Sequence, residues 1–99
     1  MTPLRVLLHA PTAEALARAR RNAANLHNTR PGAEILIIAN AGAVASALAT
    51  PDVTDPLLRV CRNSLTAQGL DNTRELVEVE AAVVTLVELQ TEGWAYIST

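Results

Sequence analysis

Cys61 is the only cysteine in the 99-residue chain, and its thiol is the side chain with the most distinctive reactivity. An ionised thiol is the nucleophile in persulfide transfer and in thiol–disulfide exchange. Arg59 and Arg62 flank it, and positive charge close to a thiol favours the thiolate. A free cysteine is more often a small buried apolar residue, so the sequence also leaves a purely structural role for Cys61 open.

Two further positions could bind a ligand beside such a thiol. His9 follows a short apolar run and could contact a ligand or act as a base, although a histidine there often only satisfies a backbone group. Asn40-Ala41-Gly42 follows a second apolar run and could aim backbone N–H groups at an anion, but these residues are also ordinary turn formers. The sequence has no nucleotide-binding glycine motif, no metal-ligand spacing and no nucleophile–base pair, so we expect no cofactor.

Composition and charge exclude several classes of protein. A single cysteine excludes an internal disulfide and a multi-cysteine zinc site. The net charge of −2 predicts no general attraction to nucleic acid or to anionic lipid. No apolar run approaches the ~20 residues that cross a bilayer, and we see no signal-peptide pattern. We therefore expect one soluble cytoplasmic domain over residues 1–99, with its free thiol kept reduced.

The charged residues outside the candidate site fit a solvated surface. A basic stretch around the first predicted helix is expected to face water and to pair with Glu14. Its members are Arg18, Arg20, Arg21 and Arg30. The glutamates of the C-terminal quarter are interpreted in the same way, because nothing in their spacing fixes two of them as an acid–base pair.

Apolar runs and turn residues divide the chain into alternating strands and helices. Leu4 to Leu8 reads as a buried strand, and a helix capped by Thr12 should end before Pro31-Gly32. Glu34 to Ala39 is almost continuously apolar, which predicts a central parallel strand covered on both faces. A short helix over Ala43 to Ala49 follows it.

The C-terminal part continues the alternation. Leu76 to Val79 alternates like an edge strand, Ala82 to Leu89 carries a helical apolar face, and Trp94 to Ile97 reads as a closing strand. Strands that alternate with helices in this way predict a parallel sheet with helices on both faces.

The segment before Cys61 has two readings. Leu57 to Val60 could be a third strand, followed by a helix over Arg62 to Gln68 that stops at Gly69. Alternatively, Asp55 to Gln68 could be one helix, a reading that periodicity alone slightly favours. The choice decides whether Cys61 begins a helix or lies inside one. In the strand reading, the carboxyl ends of parallel strands bring His9, Asn40 and the Cys61-Arg62-Asn63 group to one edge of the sheet.

Three stretches resemble proteins of the DsrE/DsrF-like family. The residues Cys61 to Leu70, CRNSLTAQGL, resemble the family segment in which a cysteine ends a strand and an Asn-x-Leu-rich helix follows. Leu89 to Ile97 resembles the closing helix and strand, and Asn40 to Val44 resembles the turn after the second strand. The three stretches occur in the family's order and spacing, and the resemblance covers essentially the whole chain.

The resemblance implies a three-layer α/β/α sandwich on a mostly parallel five-stranded sheet, and with it the strand reading before Cys61. It implies a homo-oligomer, and a carrier that accepts a persulfide sulfur on Cys61 from a sulfur-relay partner. In that hypothesis Asn63 and nearby N–H groups stabilise the sulfur, while His9, Asn40, Gly42 and Arg62 line the site. The alternative is a non-catalytic ligand-binding or oligomeric interaction domain in which Cys61 only packs.

Overall fold

The computed structural model describes residues 3–99 and contains one five-stranded sheet. The strands are β1 (Arg5–Ala10), β2 (Glu34–Ala39), β3 (Leu58–Cys61), β4 (Glu78–Val79) and β5 (Ala95–Ser98). Their order across the sheet is β4-β3-β2-β1-β5, and every neighbouring pair is parallel. The prediction that Glu34 to Ala39 is a central parallel strand is confirmed.

Four α-helices connect the strands, and the residues that bound them are visible in the sequence. They are α1 (Ala13–Thr29), α2 (Gly42–Ala49), α3 (Arg62–Gln68) and α4 (Ala82–Thr91). The hydroxyl of Thr12 accepts a hydrogen bond from the N–H of Ala15 at 3.0 Å, which caps α1 as predicted. Gly69 ends α3 in the left-handed conformation, with φ of 63°, where glycine has no steric cost.

The first face of the sheet is covered by α1, α2 and α3. Its core contains fully buried side chains such as Leu16 of α1 and Ile37 of β2, and burying each of these contributes about 1.5–3 kcal/mol. Alanines on α1 and α2 are also buried, and these small side chains fill the space between the helices. A chain with no phenylalanine thus builds its core from close approach of helices and sheet.

The second face is covered by α4, which packs Ala82 and Leu86 against Leu7, Ile38 and Cys61. With helices on both faces, the molecule is the predicted three-layer α/β/α sandwich. Within residues 3–99, α4 is the one helix that packs on this face, and all four residues of β5 are exposed. We call the uncovered part of this face, formed by His9, Tyr96 and Ser98, the open half.

The segment before Cys61 is a strand followed by a helix, as the resemblance implies. Ile37 to Ala39 of β2 pairs with Leu58 to Val60, and this pairing outweighs the local helical periodicity. A single 3₁₀ turn, Asp55–Leu57, precedes the strand. The first strand is longer than predicted, because pairing with β2 continues to Ala10 and places His9 inside β1.

One arginine of the predicted solvated stretch lies in a partly buried ion-pair cluster. The carboxylate of Asp55 accepts hydrogen bonds from Arg20 of α1 and from Arg74 of the β3–β4 connection. The Arg20 side chain is only 10% exposed, and it also donates to the carbonyl of Thr50 at 2.8 Å. The expectation that Arg20 faces water is therefore wrong, because a distant carboxylate on the 3₁₀ turn holds it.

Candidate functional site

Cys61 and three other side chains form a diagonal row across the second face, which starts at the carboxyl end of β3. His9 of β1 pairs with Ser98 of β5, so His9 and Tyr96 share a face on adjacent strands. Asn40 lies one residue beyond Ala39, which pairs with Val60, so it is level with Cys61 on the neighbouring strand. The row Tyr96–His9–Asn40–Cys61 thus spans β5, β1, β2 and β3. His9 pairs with Ile38, so it lies two residues short of the level of Asn40 and Cys61, and Tyr96 pairs with Leu7, two residues further back. The structure thus places His9, Asn40 and Cys61 on one face, towards its carboxyl edge.

The thiol of Cys61 is covered and does not face an open crevice. Cys61 is 5% exposed and packs among Leu7, Ile38 and Leu86. The N–H of Ala82, the first residue of α4, donates a hydrogen bond to its Sγ at 3.4 Å. A thiol that accepts sulfur from a partner must be reachable, but the first turn of α4 lies over Cys61.

Burial opposes ionisation of the Cys61 thiol, yet the pKa of Cys61 is lowered below the ordinary value of a thiol. The opposing cause is a set of hydrogen-bond donors, of which the Ser64 hydroxyl is the strongest, followed by the N–H of Ala82 and the N–H groups of Ser64 and Asn63. The N–H groups of Asn63 and Ser64, at the start of α3, lower the pKa although Cys61 makes no side-chain hydrogen bond that caps the helix. Neutral donors therefore favour the thiolate.

The two arginines that flank Cys61 do not act on it as the sequence suggested. Arg62 donates from Nε to Oε1 of Glu78 at 2.9 Å. Arg59 donates to the carbonyls of Pro56 and Leu58. Both guanidinium groups are held by acceptors on the protein, and neither is among the causes of the lowered pKa of Cys61. The expectation that they stabilise the thiolate is wrong.

The turn after β2 offers no free amide to an anion. The N–H of Asn40 donates to the carbonyl of Ala10, that of Ala41 to the Ser64 hydroxyl at 2.9 Å, and that of Gly42 to the carbonyl of Pro11. The predicted anion-binding role of this turn, with Gly42 in it, is therefore wrong as far as its backbone is concerned. The side chain of Asn40 remains at the site.

A hydrogen-bonded chain that the sequence did not predict links three members of the row. His9 Nε2 lies 3.0 Å from Asn40 Oδ1, and His9 Nδ1 lies 2.7 Å from the hydroxyl of Tyr96. The two rings are tilted by 53°, with centroids 5.7 Å apart. Tyr96 was not predicted as a site residue, because its sequence context indicates only a closing strand. The alternation of side chains along β5 was the one signal for its face.

Asn63 lies at a cavity of about 370 Å³ between α3, β4 and α4, lined also by Val79, Val84 and Thr85. Its N–H donates to the carbonyl of Glu80 at 3.3 Å, which ties the start of α3 to the segment before α4. Glu80 and Glu88 line the same cavity. Of Asn63, the backbone N–H acts on Cys61 Sγ, whereas the Arg62 side chain donates to Glu78.

Two further findings concern residues 3–99 only. No group of three or more histidine, cysteine, aspartate or glutamate side chains is arranged so that it could hold a metal ion. No helix in this part of the chain is both long enough and apolar enough to span a membrane.

Fold and site together define an α/β/α domain with one covered thiol at the carboxyl edge of a parallel sheet. The fold is similar to that of MTH1491 from Methanobacterium thermoautotrophicum, described as a protein of unknown function. The two structures agree with a TM-score of 0.78 at 26% sequence identity, over 97% of this chain and 99% of that one. No family model matches the sequence, and no curated protein matches it.

Proposed function

We propose that this chain is a small cytoplasmic sulfur carrier of the DsrE/DsrF-like kind that accepts a persulfide sulfur on Cys61. The observation that carries the proposal is the set of donors around Sγ, which lowers the pKa of the thiol although it is buried. A thiol used only for packing needs no such donors, because a neutral Cys is a good apolar residue by itself.

The proposed step needs no cofactor. The Cys61 thiolate attacks the outer sulfur of a donor persulfide, R–S–SH, and a new sulfur–sulfur bond forms on Cys61. The donor's own sulfur–sulfur bond breaks, and its electron pair leaves with the inner sulfur as a thiolate that takes a proton from water. The product is Cys61–S–SH, and no net oxidation or reduction occurs. Donor and acceptor would be sulfur-relay proteins, and no nucleic acid or membrane takes part.

Loading requires movement at the start of α4. Sγ is covered by the Ala82 N–H, and Ala82 itself is 2% exposed. The neighbouring cavity at Asn63 lies directly outside this contact, which supports a route from the β4 side. Opening of one helical turn is a low-energy local motion compared with global unfolding.

A second function is favoured by the same burial. In it, the chain is a non-catalytic ligand-binding or oligomeric interaction domain, and Cys61 is part of the second core with Leu7, Ile38 and Leu86. A thiol that is 5% exposed fits this alternative without any further assumption. The two functions differ in whether sulfur can be added to Cys61 in the folded protein.

The test is to incubate the native protein with a small persulfide donor and to measure its mass. The carrier function predicts the addition of one sulfur atom, reversed by reductant, and none in Cys61→Ala, which has no thiol at all. Alkylation followed against pH should show a midpoint below that of an ordinary thiol. If the thiol reacts only under denaturing conditions and takes up no sulfur when folded, the interaction domain is the correct function.

Stability of the variants does not distinguish the two functions. Because Cys61 is nearly buried, Cys61→Ser should cost about 1–2 kcal/mol of unfolding free energy in either case. The mass measurement on the folded protein is therefore the decisive one.

A further inference from the structure

We propose that copies of this chain associate head to tail, with exposed valines of α4 in one copy seated in an apolar cavity between α1 and β5 of the next copy. We call the α4 surface the valine ridge, and its members are Val83, Val84 and Val87. We call the receiving surface the β5 cavity. The inference goes beyond the sulfur chemistry of Cys61 and does not depend on it.

The valine ridge is an apolar surface that the rest of residues 3–99 leaves uncovered. Each of its three valines is more than half exposed. Val83 and Val87 are four residues apart on α4, so their side chains are neighbours along one side of the helix. Exposed apolar side chains that adjoin one another in this way commonly mark a contact with another protein.

The β5 cavity lies on the first face of the sheet, beside the edge strand. It has a volume of about 340 Å³, and its lining residues come from two strands and from α1. They are Leu8 and Ile97 of the strands, and Asn22, Asn25, Leu26 and Thr29 of the helix. Ile97 pairs with Leu8 and is still 45% exposed, so its apolar side chain is available to a ligand. An uncharged cavity with this apolar content fits aliphatic side chains.

The two segments that carry these surfaces have opposite charge. Residues 18–30 contain four arginines and no acidic residue, whereas residues 75–99 contain five glutamates and no basic residue. Arg20 is neutralised within the fold by Asp55, and the other three arginines are exposed. The charge of one segment therefore complements that of the other, which favours contact between them in two copies of the chain.

Two arginines lie beside the β5 cavity. Arg18 and Arg21 precede Asn22 and Asn25 of the cavity wall by one helical turn, so each neighbours a lining residue. We call these two arginines the basic rim. Glu14, the one acidic residue of α1, lies about two turns before the wall. The cavity therefore fits an apolar surface that is flanked by acidic side chains.

Charge decides between the two ways in which identical copies could use the valine ridge. Glu80 and Glu88 lie around Val84, with which they line one cavity. If two ridges met across a two-fold axis, these glutamates of both copies would lie close together, and like charges oppose binding. If a ridge entered the β5 cavity, the same glutamates would lie near the basic rim. The head-to-tail contact is therefore the favoured one.

The positions of the two surfaces allow one copy to use both at once. The valine ridge belongs to the helix that covers the second face, and the β5 cavity opens on the first face. A contact between two different surfaces of one chain repeats from copy to copy until it closes into a ring. We infer a closed ring of this kind.

The test uses two variants of the full chain, each of which damages one surface. Val83→Glu with Val87→Glu damages the ridge, and Arg18→Glu with Arg21→Glu reverses the charge of the basic rim. All four side chains are exposed, so both variants should fold, which circular dichroism checks. Light scattering from micromolar to millimolar concentration should give the monomer mass for each variant alone. An equimolar mixture should give twice that mass, because one variant keeps its ridge and the other keeps its cavity.

A chain that combines the rim variant with Glu80→Arg and Glu88→Arg reverses both surfaces and keeps the net charge. It should regain the mass of the unchanged protein, because opposite charges meet again. Thr66→Glu with Ala67→Glu, at exposed positions of α3, adds negative charge elsewhere and should leave the mass of the unchanged oligomer in place.

Three results would overturn the inference. Full mass for the rim variant would show that ridges pair with each other. A mixture that stays monomeric, or a combined variant that does not reassemble, would show that ridge and cavity do not meet. A monomer mass for the unchanged protein would show that these surfaces serve a different protein. None of these results bears on whether Cys61 accepts sulfur, so the proposed function is judged separately.

Discussion

At the scale of single residues, Ala41 has the least favourable backbone in the site. Its φ of 47° and ψ of −128° lie in a region that only glycine adopts without steric cost. Two side chains of α3 hold it there, because Ser64 accepts from its N–H and Gln68 Nε2 donates to its carbonyl at 2.9 Å. Such a conformation costs of order 1–3 kcal/mol, which the hydrogen bonds from α3 must offset.

Replacing Ala41 with glycine should therefore stabilise the protein. Ala41→Gly removes the Cβ that makes this conformation costly, and we expect the free energy of unfolding to rise by about 1 kcal/mol. Ala24→Gly, at an exposed position inside α1, should lower it by a similar amount, because glycine is a poor helix former. Denaturant unfolding of both variants checks the prediction. A loss of stability in Ala41→Gly would show that the backbone there is not strained.

Ser64 should control the ionisation of Cys61. Its oxygen already accepts from Ala41, so its hydrogen is free to act on Sγ, and its removal should raise the pKa of Cys61 towards or above that of an ordinary thiol. Thiolate absorbance followed against pH measures this change in Ser64→Ala. Thr66→Ala, an exposed change in the same helix, should leave the midpoint in place. If both variants titrate like the unchanged protein, the backbone donors alone set the pKa.

At the scale of elements, Asp55 joins parts of the chain that are far apart in sequence. It connects the 3₁₀ turn to α1 through Arg20 and to the β3–β4 connection through Arg74, which also donates to the carbonyl of Ala47 in α2. Burial opposes ionisation of Asp55, but hydrogen bonds from Arg74 and from the N–H of Asp52, with the charges of both arginines, lower its pKa. The cluster fixes the segment that leads into β3 and hence the position of Cys61.

Asp55→Asn should destabilise the fold at neutral pH by about 2–4 kcal/mol, since it leaves two partly buried arginines without their carboxylate. Because the pKa of Asp55 is lower in the folded protein, its contribution is present above the ordinary aspartate value and is lost as pH falls through the lowered value. The difference in the free energy of unfolding between Asp55→Asn and the unchanged protein should therefore become smaller below about pH 4. Denaturant unfolding at pH 7 and pH 3 tests this, with Asp71→Asn at an exposed site as the control. A free-energy difference that is equal at pH 7 and pH 3 would contradict the prediction.

The predictability of the elements differs along the chain for physical reasons. Glu34 to Ala39 was predicted from the sequence because a strand buried on both faces is apolar throughout. Leu58 to Cys61 was ambiguous because its pattern also suits a helix, and only pairing with β2 decides between them. The order of the strands and the ion pair between Arg20 and Asp55 depend on contacts between segments that are far apart in sequence. Hydrophobic periodicity reports local structure only, so it does not predict these contacts.

The candidate site was predictable in location but not in its contacts. Topology placed His9, Asn40 and Cys61 at one edge of the sheet. The cover over Cys61 depends on where α4 begins, and the Tyr96 partner of His9 depends on which strand lies next to β1. The nearby arginines were assigned to Cys61 by proximity in sequence, whereas acceptors elsewhere on the protein hold them.

At the scale of the whole molecule, charge and apolar surface are unevenly distributed. Residues 75–99 contain five glutamates and no basic residue. Four of the five valines of this region are exposed, among them Val77 at 52% and Val84 at 51%. Both lie towards β4 on the second face, since Val79 pairs with Cys61 and Val84 lines the cavity beside it. Apolar surface with this exposure commonly marks a contact with another protein.

The predicted homo-oligomer can be tested on this surface. Val77 and Val84 are exposed apolar residues on the β4 side of the molecule, away from the open half. Light scattering at micromolar concentration should give a multiple of the monomer mass. The double change Val77→Glu and Val84→Glu should lower it to the monomer, because it adds like charge beside Glu80 and Glu88 and removes apolar contact area. Val53→Glu, at a 91% exposed valine in the loop before the 3₁₀ turn, should leave the mass unchanged. A monomer mass for the unchanged protein would refute the prediction, and equal masses for all three proteins would place any oligomer contact elsewhere.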